Sequence, residues 1–249
     1  MTPQDMAQQL ALLVSSYTES GSAKSTDPLL KSADFFLQAE IQQGLLVTPT
    51  DEGLVQLNLS DRALGAWLRY LLQTPLPVIA YALPGDRPVL THLPIFTVQY
   101  AHARCCSWLR LAHDSGWIQL KQPSGNPHNW EWQNSQPAPW PNEGEPRWFT
   151  QSPAQDLVHH LIDIFDVLDG ALQPTAGSPK AHQRQVKSLM RVGITLSQAV
   201  DRFQRAFQPW SRQLCLEQLQ IYFGLLLIAQ RALCLLLEDH LKSNAPVEL

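Results

Sequence analysis

The sequence predicts a mainly α protein, a helical bundle with a small α+β part on its amino-terminal side. Three observations lead to this fold class. Apolar residues recur at helical spacing over residues 98–112 and again over 157–168. Residues 214–241 form a long apolar segment with the same spacing. Only residues 55–59 alternate apolar and polar side chains clearly, which is typical of a strand exposed on one face.

Composition sets limits on the function. The chain has 249 residues, enough for one large domain or two small ones, and 45% of them are hydrophobic, which is ample for a core. The formal net charge is −4. Because phosphate neutralisation drives nucleic-acid affinity, dedicated nucleic-acid binders are usually basic. The charge balance therefore argues against tight independent RNA binding.

The four cysteines do not suggest a site. Cys105 and Cys106 are adjacent, Cys215 and Cys234 are far apart, and no CxxC pair is present. We therefore expect neither a metal site nor a disulfide, and no cofactor. Cys215 and Cys234 are predicted to be small buried apolar groups. This cysteine usage, with a first segment that lacks the basic start of a signal peptide, predicts a cytoplasmic protein.

The amino-terminal part, residues 1–74, is predicted to be a small α+β segment. Residues 1–20 suggest a short amphipathic helix, and residues 29–42 suggest a second helix that Gly44 ends. A strand follows at residues 55–59, and Ser60 or Asp61 then caps a helix. Residues 75–93 contain four prolines and are predicted to be a tether.

Residues 94–112 predict the first helix of a bundle. Pro94 limits how early this helix can start, and Thr97 is a suitable N-cap. One stripe of the helix is predicted to be buried, with His102 as a core histidine on it. Its other members are Val98, Ala101, Cys105, Trp108, Leu109 and Ala112.

Tyr100 and Arg104 are four residues apart and therefore neighbours on a different side of the same helix. A ring beside a guanidinium can stack on a splayed base or bind phosphate. Alternatively, Tyr100 packs on a neighbouring helix and Arg104 pairs with a local carboxylate.

Residues 121–153 hold seven prolines and four tryptophans without any helical or strand period. Three interpretations stay open. The segment folds back with its Trp rings covering apolar surface, it docks a protein partner, or its rings stack on bases. The partner-docking candidates are Trp130, Trp132, Trp140 and Trp148.

Residues 152–169 predict a helix whose buried face contains Leu157, Leu161 and Ile164. Its carboxylates and two histidines are predicted to lie mainly toward solvent, although such pairs can also serve acid/base chemistry. The polar set comprises Asp156, His159, His160, Asp163 and Asp166.

Residues 180–210 predict two helices around Gly193, with Ala199, Phe203 and Phe207 on the buried side. Seven basic residues lie between Lys180 and Arg212, and only Asp201 opposes them. They form either a solvated face or a surface for phosphate or an acidic partner. Five of them recur at spacings of three and four residues: Arg184, Lys187, Arg191, Arg202 and Arg205.

The last helix is predicted over residues 214–241. Residues 219–237 are apolar enough to suggest a membrane span, but Gln230 and Arg231 interrupt them, and an Arg within a span is costly. We therefore expect a core helix surrounded by others, and no membrane.

The run VQYAHAR at residues 98–104, followed by Ser107, Leu109, Arg110 and Ala112, resembles the opening helix of the anticodon-binding DALR domain of class I arginyl-tRNA synthetases. The phrase GLVQLNLSDRALGAWL, at residues 53–68, is similar to the end of the amino-terminal additional domain of that family. The last helix and Ala245–Pro246 fit the end of the DALR domain loosely, although the family's terminal methionine is absent.

The resemblance implies a DALR-like bundle over residues 94–249 and a binding function for tRNA, specifically arginine tRNA. It implies that Tyr100, Arg104 and Arg110 contact the anticodon stem-loop, while the basic set of residues 184–205 touches phosphate. The sequence contains neither the HIGH-type nor the KMSKS-type motif with which these synthetases hold ATP. Aminoacylation by these residues alone is therefore not expected, and we assign no catalytic residue. The alternative function is a protein–protein adaptor that kept the bundle and lost RNA binding.

Overall fold

A computed structural model describes residues 44–49, 55–74, 94–121, 130–133, 152–171, 179–207 and 214–248. The predicted helices at residues 1–20 and 29–42, the tether at 75–93, and Trp140 and Trp148 lie outside these ranges. Within them the chain forms five helices and two small sheets of two strands each, so the predicted mainly α class is confirmed. The chain divides into two compact units between Tyr70 and Leu71.

The first unit contains a hairpin and the start of a helix. Strand β1 (Leu45–Pro49) pairs antiparallel with β2 (Val55–Leu59), with Leu45 opposite Leu59. The strand predicted at residues 55–59 is therefore confirmed. Its partner was not predicted, because the run of three apolar residues at 45–47 lacks the alternation that reveals a half-exposed strand.

Helix α1 (Asp61–Gln73) begins where the sequence predicts it. The Ser60 hydroxyl accepts a hydrogen bond from the Ala63 amide at 3.2 Å, which is the predicted N-cap. The Ser60 amide donates to the Gly44 carbonyl oxygen at 2.7 Å, so Gly44 lies in the turn that leads into β1. A Cβ atom at Gly44 would overlap Ser60 and Ala63, which explains the glycine at this position.

The second unit is built on four long helices. They are α2 (Ile95–Asp114), α3 (Ser152–Ala171), α4 (Pro179–Ala206) and α5 (Leu216–Leu235). A π-helical turn (Leu236–His240) extends α5. Strands β3 (Leu120–Lys121) and β4 (Glu131–Trp132) add a two-residue antiparallel ladder, although no strand was predicted within residues 121–153.

Helix α5 is the centre of this unit, because it contacts α2, α3 and α4. Every side of it is therefore covered, and residues 221–233 are all buried. The stretch Leu216–His240 is long and apolar enough to cross a membrane, yet 83% of its most apolar window is buried inside the protein. That burial is what the sequence analysis expected of a core helix.

Helix α4 is a single helix of 28 residues, so the prediction of two helices around Gly193 was wrong. Gly193 does not break the helix but allows a close approach. A Cβ atom at this position would overlap the Leu236 side chain from the turn after α5. Because the helix is continuous, the spacing of about 100° per residue holds along its whole length, so side chains from its two halves can lie on the same side.

Helix α2 begins at Ile95, with Pro94 in the cap position and no side-chain cap. The prediction of Thr97 as N-cap was therefore wrong, and its amide instead donates to the Pro94 carbonyl oxygen at 3.2 Å. The predicted buried stripe is buried except for Trp108, which is half-buried. Ala103 and Cys106 are buried as well, because α2 contacts both α4 and α5 and so covers a wider arc than one stripe.

Candidate functional site

Polar side chains of α2 contact two different parts of the protein, residues 241–248 on one side and α4 on the other. Three of these side chains contact residues 241–248, which we call the terminal segment. Gln99 donates from Nε2 to the Asn244 carbonyl oxygen at 2.9 Å, and Arg110 forms an ion pair with Glu248 at 2.7 Å. Between them His102 contacts the Pro246 carbonyl oxygen at 2.9 Å. This side of α2 is therefore structural, and Arg110 lies with it.

His102 is fully buried, so the prediction of a core histidine is confirmed. Its Nδ1 lies 2.9 Å from the Pro246 carbonyl oxygen, and its Nε2 lies 2.8 Å from Nε2 of Gln230. Because a carbonyl only accepts, Nδ1 carries the hydrogen and donates it to Pro246. Nε2 then accepts a hydrogen from the Gln230 amide. The ring thus joins α2, α5 and the terminal segment.

The opposite side of α2 faces α4 across an open groove of about 360 Å³, which we call the α2–α4 groove. Its lining is mixed, with charged, polar and apolar side chains from both helices. Four of the eight predicted RNA-binding residues line it: Tyr100, Arg104, Arg202 and Arg205. The fold therefore brings together residues that are up to 105 positions apart in the sequence.

Carboxylates hold the guanidinium groups at the groove. Asp201 pairs with Arg104 at 2.6 Å and with Arg205 at 2.8 Å. Asp156 of α3 pairs with Arg202 at 2.6 Å. Arg104 thus has the local carboxylate partner that one alternative proposed, while its side chain keeps 29% of its surface exposed. The pairs orient the three guanidinium groups without burying them.

The remaining cations of α4 lie on the same side of the helix as Arg202 and Arg205. Successive residues of an α-helix are about 100° apart, so residues seven, eleven or eighteen positions apart lie on nearly the same side. Arg184, Arg191 and Arg202 have these spacings, and Lys187 and Arg205 are eighteen apart. All five side chains are exposed and lie within an arc of about 60° over about 32 Å of helix. We call them the α4 basic stripe.

The first three members of the stripe are not neutralised. Arg184, Lys187 and Arg191 form no ion pair with any residue that the structure describes. This end of the stripe therefore carries three cations without ion-pair partners among the described residues, and Arg191 also lines a pocket with Asp163 and Asp166 of α3.

Aromatic surface lies at the start of α2. Tyr100 lines the α2–α4 groove and is 48% exposed, while Phe96, one turn earlier, is 63% exposed. Their ring centroids are 6.2 Å apart. Two exposed neighbouring rings beside cations provide the combination that stacks bases and holds phosphates.

Gln204 is a groove residue that the sequence analysis missed. It is only 2% exposed and lines the α2–α4 groove. Neither its Nε2 nor its Oε1 has a hydrogen-bond partner among the described residues. Helical spacing could have indicated its burial, because Gln204 is four residues after Val200 and next to Phe203, both on the buried side of α4.

The polar set on α3 forms a separate feature. His160 lies 3.5 Å from Asp156 and 3.4 Å from Asp163, and it lines an open pocket of about 410 Å³ with Asp163, Asp166 and Arg191. His159 is exposed and takes no part in this pocket. No group of three or more possible metal ligands occurs among the described residues. The arrangement fits the solvated helix face that the sequence predicts.

Burial disfavours the thiolate form of three of the four cysteines. Cys105 and Cys106 are buried, and burial raises the pKa of both, that of Cys106 to about 12. Burial also raises the pKa of the half-buried Cys234. Cys215 is exposed at the start of α5, so the prediction that it is buried was wrong. Cys215 is the residue before α5, and the buried positions of α5 begin one turn later, at Leu219.

Two of the four predicted docking tryptophans can be located. Trp130 is 8% exposed and Trp132 is 4% exposed. The Trp130 carbonyl oxygen accepts hydrogen bonds from Arg231 of α5. Both residues are buried, the Trp130 ring beside that of His113, and neither forms an exposed docking patch.

No protein-family model matches the chain, and neither does any curated protein or solved structure.

Proposed function

We propose that this chain is a tRNA-binding accessory module that grips RNA with the α4 basic stripe and the α2–α4 groove. The observation that carries the proposal is the alignment of five exposed cations on one continuous helix, beside a groove with an exposed aromatic ring at its edge. The resemblance of residues 98–112 to the anticodon-binding helix of arginyl-tRNA synthetases supplies the choice of arginine tRNA as the ligand.

Electrostatics supports an extended polyanion as the ligand. The α4 basic stripe is about 32 Å long, which is enough to follow several successive phosphates of one strand. A small anion would need its positive charge concentrated at one point, whereas these side chains are spread along a helix. The net charge of −4 limits affinity. Because each contacted phosphate releases counterions, we expect binding that weakens strongly as the salt concentration rises.

The aromatic pair supports single-stranded rather than duplex RNA as the contacted part. An exposed ring stacks on a base only when that base is splayed out of a helix, as in a loop. Tyr100 lines the same groove as Arg202 and Arg205, two members of the α4 basic stripe, so a base on the ring directs the adjoining phosphates toward the stripe. A hairpin loop presented to the α2–α4 groove satisfies both contacts.

The adaptor alternative has less support among the described residues. It was motivated by the Trp-rich insert, and the two insert tryptophans that the structure describes are buried. We therefore propose RNA binding as the function, and we propose no aminoacylation by these residues because the ATP-binding motifs are missing from the sequence.

Fluorescence anisotropy with labelled arginine tRNA tests the proposal. At low salt we expect binding with a Kd of about 1–100 µM or tighter, in the range of electrostatic RNA binding. Replacing Tyr100 with alanine is expected to weaken binding by about 5-fold to 150-fold, since stacking on one base is worth about 1–3 kcal/mol. Leu111→Ala is the matched control, because Leu111 is similarly exposed on α2 but does not line the groove.

Two results would contradict the proposal. The first is the absence of any anisotropy change at about 100 µM protein in low salt, where even non-specific RNA binding saturates. The second is an equal loss of affinity in the Tyr100 and Leu111 variants, which would place the RNA elsewhere on the chain.

A further inference from the structure

Gln204 lies at the α2–α4 groove with an amide that makes no hydrogen bond to any residue that the structure describes. The residue is 2% exposed, and both its Nε2 and its Oε1 lack a hydrogen-bond partner among the described residues. Burying an amide without partners is unfavourable, and the large majority of buried polar side-chain atoms in folded proteins are paired. An apolar side chain of the same size would avoid this cost, so the presence of a glutamine at this buried position requires an explanation.

Packing does not supply that reason. Gln204 shares the buried side of α4 with Val200 and Phe203, which are apolar. The nearest polar neighbour on that side, Ser197, already donates to the Gly193 carbonyl oxygen at 2.7 Å. Since no hydrogen bond holds the Gln204 amide in place, a change of rotamer is enough to turn it toward the groove that its residue lines.

The groove suits an uncharged planar group. Its cations are already engaged by carboxylates, Arg104 and Arg205 by Asp201 and Arg202 by Asp156. An isolated anion therefore gains little inside it, while a flat group can lie against Tyr100 and present its edge to the amide. The volume of about 360 Å³ falls in the range of small-molecule sites and accommodates one base.

We propose that Gln204 reads the edge of one unstacked adenine that enters the α2–α4 groove, an inference that rests on the proposed RNA-binding function. A glutamine amide pairs with adenine through two hydrogen bonds. Its Nε2 donates to a ring nitrogen, and its Oε1 accepts from the exocyclic amino group. Tyr100 stacks on the exposed face of a base at the groove, and the α4 basic stripe holds the adjoining phosphates. Gln204 is thus a specificity residue, while the cations supply affinity.

The test compares single-stranded RNAs of about ten nucleotides made of adenine, cytosine or uracil alone. We expect the unaltered chain to bind the adenine strand about tenfold more tightly than either the cytosine or the uracil strand. Gln204→Met is expected to bind the adenine strand no more tightly than the unaltered chain binds the uracil strand. Gln198→Met is the matched control, because Gln198 lines the same groove but is exposed, and it should keep the preference.

Thermal unfolding provides a second readout on the same variants. Gln204→Met removes two orphaned atoms and keeps the volume, so we expect its Tm to rise by about 2–4 °C. Gln198→Met should leave Tm unchanged. A raised Tm together with a lost adenine preference marks a residue kept for binding at the expense of stability.

The outcomes separate the two proposals. If RNA binds and Gln204→Met keeps the adenine preference, the assignment of Gln204 is overturned and the RNA-binding function stands. If the unaltered chain binds all three strands equally, the assignment is also overturned. If no strand and no tRNA binds, the proposed function fails and the assignment falls with it.

Discussion

Replacing Arg231 with methionine is expected to lower the free energy of unfolding by about 3–5 kcal/mol. Arg231 lies in the middle of α5 and is 4% exposed. Its guanidinium donates to the Leu71 and Leu72 carbonyl oxygens at 2.9 Å, and to the Trp130 carbonyl oxygen at 2.8 Å. One side chain thus ties the central helix to the end of α1 and to Trp130, the residue before β4.

The expected loss of stability comes from the carbonyl oxygens that lose their hydrogen-bond donor when Arg231 is replaced. Leu71 and Leu72 belong to the last turn of α1, where carbonyl groups have no partner within their own helix. Each buried carbonyl without a donor costs about 1–3 kcal/mol, and relief from burying a guanidinium offsets part of that loss. Burial lowers the pKa of Arg231 to about 10, so the side chain stays charged at neutral pH.

Urea denaturation followed by circular dichroism measures this difference. Arg184→Met is the matched control, since Arg184 is exposed on α4, and it should change the free energy of unfolding by less than about 0.5 kcal/mol. Arg231→Lys should fall between the two, because one ammonium cannot reach the three carbonyl oxygens in the geometry of a planar guanidinium. Equal stability of Arg231→Met and the unaltered chain would show that these hydrogen bonds do not support the fold.

Replacing His102 with alanine is expected to cost about 2–4 kcal/mol. The substitution opens a cavity at a fully buried position and removes the partner of both the Pro246 carbonyl oxygen and the Gln230 amide. The terminal segment then keeps only its contacts with Gln99 and Arg110 from α2. His102 thus stabilises the fold on the side of α2 that faces away from the proposed RNA site.

Hydrogen exchange distinguishes this local role from a general loss of packing. In His102→Ala, exchange of the amides of residues 241–248 should be accelerated, relative to the unaltered chain, more than exchange of the amides of α3. His159→Ala, at an exposed position of α3, is the control and should change neither stability nor exchange. Unchanged protection of the terminal segment in His102→Ala would contradict the assigned contact.

The local patterns of the sequence predicted the helices well, because each carries its own signal. The stripe around Val98 and Leu109, the cap at Ser60 and the apolar period after Leu157 all concern residues within a few turns of each other. Gly193 misled the prediction for a physical reason. A glycine inside a helical pattern suggests a break, but here it serves the close approach of Leu236, which is distant in the sequence.

The candidate site was predicted only as separate pieces. Spacing placed Tyr100 beside Arg104 and Arg202 beside Arg205, but no local pattern shows that α2 lies against α4. The alignment of Arg184 with Arg202 depends on the continuity of α4, which the expected break at Gly193 concealed. Arg110 was predicted to contact RNA because it belongs to the same motif as Tyr100 and Arg104. Its ion-pair partner Glu248 is 138 residues away in the sequence, so no local pattern reveals the pair. Gln204 was missed because helical spacing places it on the buried side of α4 but does not show that a groove opens there.

The salt dependence of tRNA binding shows whether the α4 basic stripe holds phosphates. In a triple variant, Arg184→Gln, Lys187→Gln and Arg191→Gln, the three cations of the α4 basic stripe without carboxylate partners among the described residues are removed. The slope of log Kd against log salt should become shallower by about 2–3 units, because each phosphate contact contributes about 0.7–0.9. Lys121→Gln, an exposed charge outside the stripe, should leave the slope unchanged. An identical slope in the triple variant and the unaltered chain would contradict the account, because the stripe would then hold no phosphate.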